Sequence, residues 1–276
     1  MTDMSQKANQ AGNRAENSEW FDKAIRAGLV AYGVVHLLIA YLALQLAFGD
    51  QEGQASSQGA MQQLNEQPGG TLMLWLVAVG MLMLVLWKLL DAWKGHEDED
   101  DDKSKWAKKG FDVLKAVLYG TIGVSALRAA MGSSSSGKKS GTDSTTATIM
   151  NWPGGQFIVG FIGLAILGYG ANQIRVAYTE KFREKITAGG TAGDVGTAYV
   201  YFGKAGYTAK GIAIGIVGGL FVYAAATHSA QKSGGLDEAL KTVLEQPFGP
   251  ILLGIIAVGI ACYGLFCFAR ARHLSR

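Results

Sequence analysis

The chain has 276 residues, of which 49% are hydrophobic and 17% are charged, with 25 Lys and Arg against 22 Asp and Glu. A soluble chain would be about a quarter charged, and here long stretches carry no charge at all. These values exclude a disordered chain and a nucleic-acid binder that depends on a large basic surplus. The sequence has two cysteines, Cys262 and Cys267, which excludes a secreted domain held by several disulfides.

Six long apolar runs dominate the sequence. A helix of about 20 apolar residues crosses the roughly 30 Å hydrocarbon core of a bilayer, and a spanning segment must satisfy its backbone hydrogen bonds internally. The sequence therefore predicts an all-α, polytopic bundle of six transmembrane helices. The runs are residues 27–49, 69–87, 111–131, 156–174, 211–227 and 250–269.

The first and third runs need separate comment. The first begins after a polar leader and is too long for the apolar part of a signal peptide, so we expect a retained span. The third has a short charge-free centre between Lys115 and Arg128. We expect these two side chains to extend toward opposite interfaces.

The basic residues are distributed unevenly between the two sides of the predicted bundle. If the amino terminus is cytoplasmic, 20 Lys and Arg fall in segments on the cytoplasmic side and 5 on the other side. Basic residues accumulate in cytoplasmic connectors. We therefore expect a multi-pass protein of the cell membrane with both termini in the cytoplasm.

The outer connectors repeat one pattern three times. Each ends in a proline followed by glycine-containing residues and a new apolar run, and the prolines fall 85 and 94 residues apart. In the same register Gly33 aligns with Ala116 and Gly211. This predicts three copies of a two-helix unit, which all insert the same way up because each holds two spans, related by a pseudo-threefold axis along the membrane normal. The second helices align at Val85, Gly170 and Gly264.

These features together resemble a known family. A basic residue and a glycine before an apolar helix, a connector that ends in Pro-x-Gly, and a second helix rich in small residues resemble domain of unknown function 1206, a family of mostly actinobacterial membrane proteins. The resemblance covers residues 20–95, 106–182 and 200–272. It implies six transmembrane helices and brings no established activity.

The domain organisation follows from the repeats and from the composition between them. We expect a disordered cytoplasmic tail, three repeats, an acidic linker and a glycine-rich linker. The six-carboxylate run within residues 97–102 and the serine-rich run at 132–139 are interpreted as solvated segments. The predicted boundaries are 1–19 (tail), 20–95 (repeat 1), 96–105 (acidic linker), 106–182 (repeat 2), 183–199 (glycine-rich linker) and 200–276 (repeat 3 with a basic tail).

The connectors predict structural rather than catalytic roles. Pro68, Pro153 and Pro247 are interpreted as re-entry turns, since proline suits the first turn of a helix. The apolar residues before Pro68 and Pro247 have helical spacing. We expect a short amphipathic helix on the bilayer surface in copies one and three.

Polar residues inside a span are functional candidates by default. The intramembrane candidates are His36, Tyr119 and Asn172. His36 is interpreted as a neutral imidazole that is hydrogen-bonded between helices, because it has no histidine at the equivalent positions of the other repeats. Cys262 and Cys267 lack the spacing of a redox or zinc pair and are interpreted as packing residues.

A second candidate is a ring of positive charge. Arg26, Lys109 and Lys204 occupy equivalent positions in the three repeats. If the repeats close around an axis, these side chains lie at one depth, where they could select anions or acidic headgroups. The alternative is the positive-inside rule applied three times.

Two functional hypotheses remain. We expect a non-catalytic structural or accessory membrane module, with no catalytic, cofactor or metal residues. The alternative is a small permease or channel, for an anion, along the pseudo-threefold axis. We expect the lipid bilayer as a partner, with room for other membrane proteins because glycines favour close helix contacts, and no nucleic acid.

Overall fold

The computed structural model describes residues 19–49, 55–94, 102–132, 141–187, 190 and 192–274. Within these residues the chain is helical, and the β contact it records is a single bridge between Ile186 and Leu274. Two 3-10 segments, Lys181–Lys185 and Ala230–Lys232, join helices. The α-helices are α1 (Glu19–Phe48), α2 (Ser57–Asn65), α3 (Gly70–Lys94), α4 (Asp102–Ala130), α5 (Gly141–Met150), α6 (Gly155–Tyr178), α7 (Gly193–Thr227), α8 (Leu236–Leu244) and α9 (Gly249–Arg272).

The prediction of six membrane-spanning helices is confirmed: α1, α3, α4, α6, α7 and α9 are each long and apolar enough to span a bilayer. The first described helix begins and the last described helix ends at the same side of the bundle, here called the terminal face. The connectors that contain α2, α5 and α8 form the opposite, connector face. Residues 1–18 of the predicted tail, 97–101 of the acidic run and 133–139 of the serine-rich run lie outside the described residues.

Helix α7 is the longest, at 35 residues, and it starts at Gly193 inside the segment predicted as the glycine-rich linker. Packing at the terminal face supports this extension. The ring of Phe182 stacks on Tyr207 at 5.6 Å and meets Phe266 edge-on at 5.3 Å. A Cβ at Gly203 would lie 2.5 Å from the Phe182 ring, so the absent side chain leaves the space for that ring.

The three repeats close into a ring. The most extensive packing in the bundle joins the second helix of each repeat to the first helix of the next: α3 to α4, α6 to α7, and α9 to α1. Glycines aligned by the sequence register meet at two of these junctions. A Cβ at Gly264 would lie 2.9 Å from the Gly33 carbonyl oxygen, and one at Gly170 would lie 2.8 Å from that of Gly211. Small residues thus let the backbones touch, as expected between helices in lipid.

The ring departs from threefold symmetry in repeat 2. Within repeats 1 and 3 the two long helices also pack on each other, α1 with α3 and α7 with α9. In the described part of the chain, α4 and α6 do not pack along each other in this way, although the rings of Phe111 and Tyr169 lie 6.2 Å apart. Among neighbouring helices of the ring, the packing is therefore least extensive between α4 and α6.

The three re-entry turns share one backbone geometry. The amides of Gly70, Gly155 and Gly249 donate to the carbonyl three residues earlier at 2.8–2.9 Å, which closes a turn around each proline. The proline holds the second position, and the third has a positive φ of 78°, 75° or 62°, as in a type II turn. Each proline thus lies two residues before its helix, rather than in the first helical turn. The third-position residues are Gly69, Gly154 and Phe248.

Phe248 carries the strain of this turn, because a side chain disfavours the left-handed region by about 1–2 kcal/mol. Its side chain is exposed, so little packing would be lost on truncation. We expect Phe248→Gly to stabilise the protein by about 1 kcal/mol, seen as a higher melting temperature in detergent. The reverse change in repeat 1, Gly69→Phe, should lower it. A lower melting temperature for Phe248→Gly would contradict this account of the turn.

The short connector helices pack on the bundle. Each repeat has one, including repeat 2, where none was expected. Met61 and Leu64 of α2, and Leu240 and Val243 of α8, are buried against the protein rather than laid on lipid. The Ala55 amide donates to the Asp237 carboxylate at 2.9 Å, which joins the connectors of repeats 1 and 3.

Candidate functional site

A cluster of aromatic side chains occupies the interior of the bundle, on the terminal-face side of its middle. The ring of Tyr32 lies 5.0 Å from Tyr119 and 6.1 Å from Tyr263. His36 lies between Tyr32 and Tyr263, at 4.2 and 4.9 Å, and Tyr207 meets Tyr263 edge-on at 5.2 Å. All five side chains are buried. Helices α1, α4, α7 and α9 therefore meet through polar aromatic groups.

Lys210 of α7 brings a positive charge into this cluster. Its Nζ donates to the hydroxyl of Tyr32 at 2.6 Å and lies 4.0 Å from the ring centre of Tyr263 and 4.8 Å from that of Tyr32. Two aromatic faces thus stabilise the ammonium by cation–π contact. Among the described residues the ammonium makes this one hydrogen bond, so two of its three N–H groups can still bind a ligand.

A cavity of about 270 Å³ begins at this cluster and extends toward the connector face. Tyr32, His36 and Lys210 line one part, and Ser57 of α2 and Leu236 of α8 line the part at the connectors. The walls between are mainly apolar. They include Ile39, Leu114, Leu118, Ile122, Ile166, Ala213, Ile214, Val217 and Ile260.

The cavity lies beside the loosely packed pair of helices α4 and α6. Leu118 and Thr121 of α4 and Ile166 and Tyr169 of α6 all line it. Leu118 and Thr121 are also exposed at the outer surface. Because α4 and α6 do not pack along each other, the gap between them is the side on which the cavity approaches the lipid.

Charged residues form a second polar cluster nearer the terminal face. Asp112 of α4 is 4% exposed, and its carboxylate lies 2.8 Å from the ammonium of Lys115 and 3.5 Å from that of Lys88 on α3. Lys88 also pairs with Asp91. Repeats 1 and 2 are therefore joined by a buried ion-pair network. Lys115 reaches back to Asp112, which lies one helical turn nearer the terminal face, and this is the direction in which the sequence predicted it to extend.

The structure places the predicted intramembrane candidates as follows. His36 is 8% exposed and its Nδ1 lies 2.8 Å from the Tyr32 carbonyl oxygen. A carbonyl only accepts, so Nδ1 carries the hydrogen and donates, and Nε2 is the acceptor of the neutral ring. The bond is made within α1, whereas an interhelical bond was expected. Tyr119 belongs to the aromatic cluster, and Asn172 is half-buried on α6.

The predicted charge ring occupies the periphery of the terminal face. Arg26 is exposed. Lys109 donates to the carbonyl of Trp93 at 3.2 Å, and Lys204 pairs with Glu180 at 2.6 Å. The bond to Lys204 is the main reason that the pKa of Glu180 is lowered. Each side chain thus has its own local surroundings, and a joint role in anion selection stays a prediction.

Sequence reasoning missed Lys210, Lys115 and Asp112 as site residues, although the repeat register contained a signal. Six residues after Arg26, Lys109 and Lys204 stand Tyr32, Lys115 and Lys210. Six residues turn a helix by about 240°, which carries the later set to a different face. The hydrogen bond between Lys210 and Tyr32 joins two members of this equivalent set.

The described residues contain no group of three His, Cys, Asp or Glu side chains placed to hold a metal ion. Cys262 and Cys267 are both free thiols on α9. Cys267 is buried among the core residues, in keeping with a packing role.

Comparison with known proteins supports the repeat architecture. The family described as Domain of Unknown Function (DUF1206) matches residues 27–95, 113–180 and 205–273, one match in each repeat. An "Uncharacterized protein YxxB" of Bacillus subtilis (strain 168) is 26% identical over 264 residues, which cover 95% of this chain and 95% of the relative. No solved structure matches the chain.

Proposed function

Because the chain belongs to the DUF1206 family, whose description assigns no activity, we propose its function from the interior of the bundle: it is a non-catalytic membrane module that binds an amphipathic monoanion, such as a fatty acid, drawn from the bilayer. The observation that carries this is the ammonium of Lys210 at one end of an apolar cavity. The acidic head would meet Lys210 and Tyr32, and the alkyl chain would extend toward α2 and α8.

The chemistry of the cavity supports this ligand class. The single ammonium of Lys210 has two N–H groups that can donate to a ligand, and it matches one carboxylate in charge. The cavity, of about 270 Å³, is lined from Lys210 to the connector helices, which gives an alkyl chain a place beyond the acidic head. The apolar walls contributed by residues such as Ile39, Ile122 and Val217 would hold it.

The gap between α4 and α6 supplies a route for such a ligand. An amphiphile in the membrane could enter sideways without passing through water. A second groove, of about 620 Å³ between α1 and α3, has apolar walls apart from Lys23 and faces outward. It lacks an interior charge and fits ordinary contact with lipid tails.

A non-catalytic role is supported by the same surroundings. Lys210 and His36 lie against tyrosine rings, and among the described residues the nearby carboxylate of Asp112 is paired with Lys88 and Lys115. The tight glycine junctions also favour a rigid scaffold. We also propose that the terminal face is cytoplasmic, because the basic residues are concentrated in the segments on that side of the bundle.

Binding of dodecanoate is the direct test. We expect the purified chain in phosphatidylcholine nanodiscs to bind dodecanoate, measured by displacement of a fluorescent fatty acid, more tightly than dodecan-1-ol. Lys210→Met should weaken dodecanoate binding at least tenfold, since a charge-assisted hydrogen bond to a carboxylate contributes about 1.5–3 kcal/mol. Binding of the alcohol should change little.

Lys204→Met is the matched control, because Lys204 lies on the same helix but outside the cavity. It should bind dodecanoate as the unaltered chain does. Equal affinity for the acid and the alcohol, or an unchanged Lys210→Met variant, would contradict the proposed function.

An anion permease is the second candidate. It is favoured by Lys210 in the cavity and by three further cations nearer the terminal face, Lys115, Lys185 and Arg270. Because α2 and α8 line the cavity at its connector end, a cavity that is closed at that end is favoured instead. Anion flux into liposomes that falls in Lys210→Met, or in a triple neutralisation of Arg26, Lys109 and Lys204, would favour transport.

A further inference from the structure

Arg270 is a buried cation for which the described residues supply no anionic partner. It lies near the end of α9, is 8% exposed, and its guanidinium carbon is 5.3 Å from the ring centre of Trp87. Its Nε is buried, and in the described part of the chain it has neither a hydrogen-bond acceptor nor a carboxylate within ion-pair distance. A buried charge without a partner destabilises the fold, so a ligand that supplied an anionic partner would be strongly favoured.

Lys185 is a second cation in the same part of the terminal face. The 3-10 segment that ends at Lys185 is tied to the end of α9, because the Thr187 amide donates to the His273 carbonyl at 2.9 Å and Ile186 bridges to Leu274. Lys185 is only partly exposed, and its Nζ lies 5.9 Å from the ring centre of Tyr207. No carboxylate among the described residues lies within ion-pair distance of it.

The electrostatic surroundings of Lys185 are those of an anion site. Burial and the positive charges of Arg270 and Lys88 lower the pKa of Lys185 to about 7, against the opposing effect of Asp112 and Glu184. An anion placed between Lys185 and Arg270 would relieve this repulsion and restore the charge on Lys185.

The charge balance indicates the class of ligand. Four cations, Lys88, Lys115, Lys185 and Arg270, surround two carboxylates, Asp91 and Asp112. The carboxylates are engaged by Lys88 and Lys115. Among the described residues, Arg270 and Lys185 are therefore left without a carboxylate at ion-pair distance, although the neighbouring Glu184 offsets part of the charge on Lys185. A guanidinium and an ammonium together suit a phosphate group, which carries about −1.5 to −2 charges near pH 7.

We propose that Arg270 and Lys185 form a binding site for a phosphate group, either a free phosphate or phosphomonoester or the headgroup of an anionic phospholipid, at the terminal face of the bundle. The site is distinct from the cavity at Lys210 and does not depend on the function proposed for that cavity. Lys185 is partly exposed and lies at the edge of this site, where the ligand would enter.

The experiment uses the full chain in two kinds of nanodisc. In phosphatidylcholine nanodiscs, inorganic phosphate is titrated and the melting temperature is followed. In a parallel series without phosphate, phosphatidic acid replaces part of the phosphatidylcholine. Stabilisation in the first series alone assigns a soluble ligand, and stabilisation in the second alone assigns a lipid headgroup. Stabilisation in neither would overturn the site.

Arg270→Gln separates a ligand site from a structural role. Without phosphate or phosphatidic acid, this variant should melt at the same temperature as the unaltered chain or higher, because an uncompensated buried charge is gone. With the ligand the order should reverse, and the apparent affinity should fall at least tenfold. Arg272→Gln, an exposed change on the same helix, should alter neither value. An Arg270→Gln chain that binds the ligand as well as the unaltered chain would refute the site.

A pH series with sulfate gives an independent readout, since sulfate stays doubly charged from pH 6 to 9. Affinity should fall several-fold across this range as Lys185 loses its proton, and Lys185→Met should abolish that dependence. The charged groups facing Lys185 are Arg270 of α9, Lys88 of α3, Asp112 and Lys115 of α4, Lys210 of α7 and the adjacent Glu184. An identical pH dependence in Lys185→Met would contradict the role of Lys185.

Discussion

Alanine at Gly249 is expected to lower the free energy of unfolding by about 3 kcal/mol or more and to reduce the yield of folded protein. A Cβ at this position would lie 1.9 Å from the carbonyl oxygen of Leu244, far inside any tolerated contact. That oxygen belongs to backbone of the connector helix α8, so it cannot move aside as a flexible side chain would. The turn that starts α9 would have to open, and its hydrogen bond from Gly249 to Gln246 would be lost.

The same effect is expected in each repeat, which makes it a test of the repeat geometry. A Cβ at Gly70 would lie 1.9 Å from the Leu64 carbonyl oxygen, and one at Gly155 would lie 1.8 Å from that of Ile149. Gly254→Ala is the control within α9, since nothing lies within 4 Å of a Cβ there. Thermal melts in detergent should show large losses for the turn glycines and little change for Gly254. Similar melting of Gly249→Ala and Gly254→Ala would contradict the turn.

Asn in place of Asp112 is expected to have the second-largest effect, a loss of about 3 kcal/mol. Asp112 is nearly fully buried and is the carboxylate between Lys88 and Lys115. Removing one member of a buried ion pair leaves the other charge uncompensated, which typically costs about 3–5 kcal/mol. Asp91 still pairs with Lys88, so Lys115 bears most of the cost.

The double variant Asp112→Asn, Lys115→Met tests this reason. If the cost arises from an uncompensated charge on Lys115, the second change should recover much of the stability. Asp91→Asn, at a more exposed position, should be milder. A double variant that is no more stable than Asp112→Asn would show that the loss has another origin.

The architecture could be predicted because it depends on local patterns. Apolar length and the turn at each proline mark the spans, and the register that aligned Gly33 with Gly211 and Gly170 with Gly264 placed residues that meet at helix junctions. Not every glycine serves this purpose: a Cβ at Gly219 would meet nothing within 4 Å. A spacing pattern alone does not distinguish a junction from a surface.

The candidate site could not be predicted in the same way, because its contacts join residues far apart in the chain. Lys210 bonds Tyr32, 178 residues away. In the sequence Lys210 is one more basic residue at the edge of a span. It becomes a candidate site residue only when the packing of α7 against α1 is known. Arg270 likewise fits the positive-inside pattern, and its burial beside Trp87 depends on how α9 packs.

Labelling of single cysteines tests most directly the claim that three copies of one unit insert the same way up with the terminal face in the cytoplasm. In a background of Cys262→Ser and Cys267→Ala, cysteines would be placed at exposed positions of the connector face, Gln67, Trp152 and Gln246, and of the terminal face, Lys23, Lys181 and Arg272. A membrane-impermeant maleimide should label all three connector positions in intact cells, and the terminal positions only after the membrane is opened. Connector cysteines that react from opposite sides would contradict the parallel repeats, and terminal cysteines that react in intact cells would contradict the orientation.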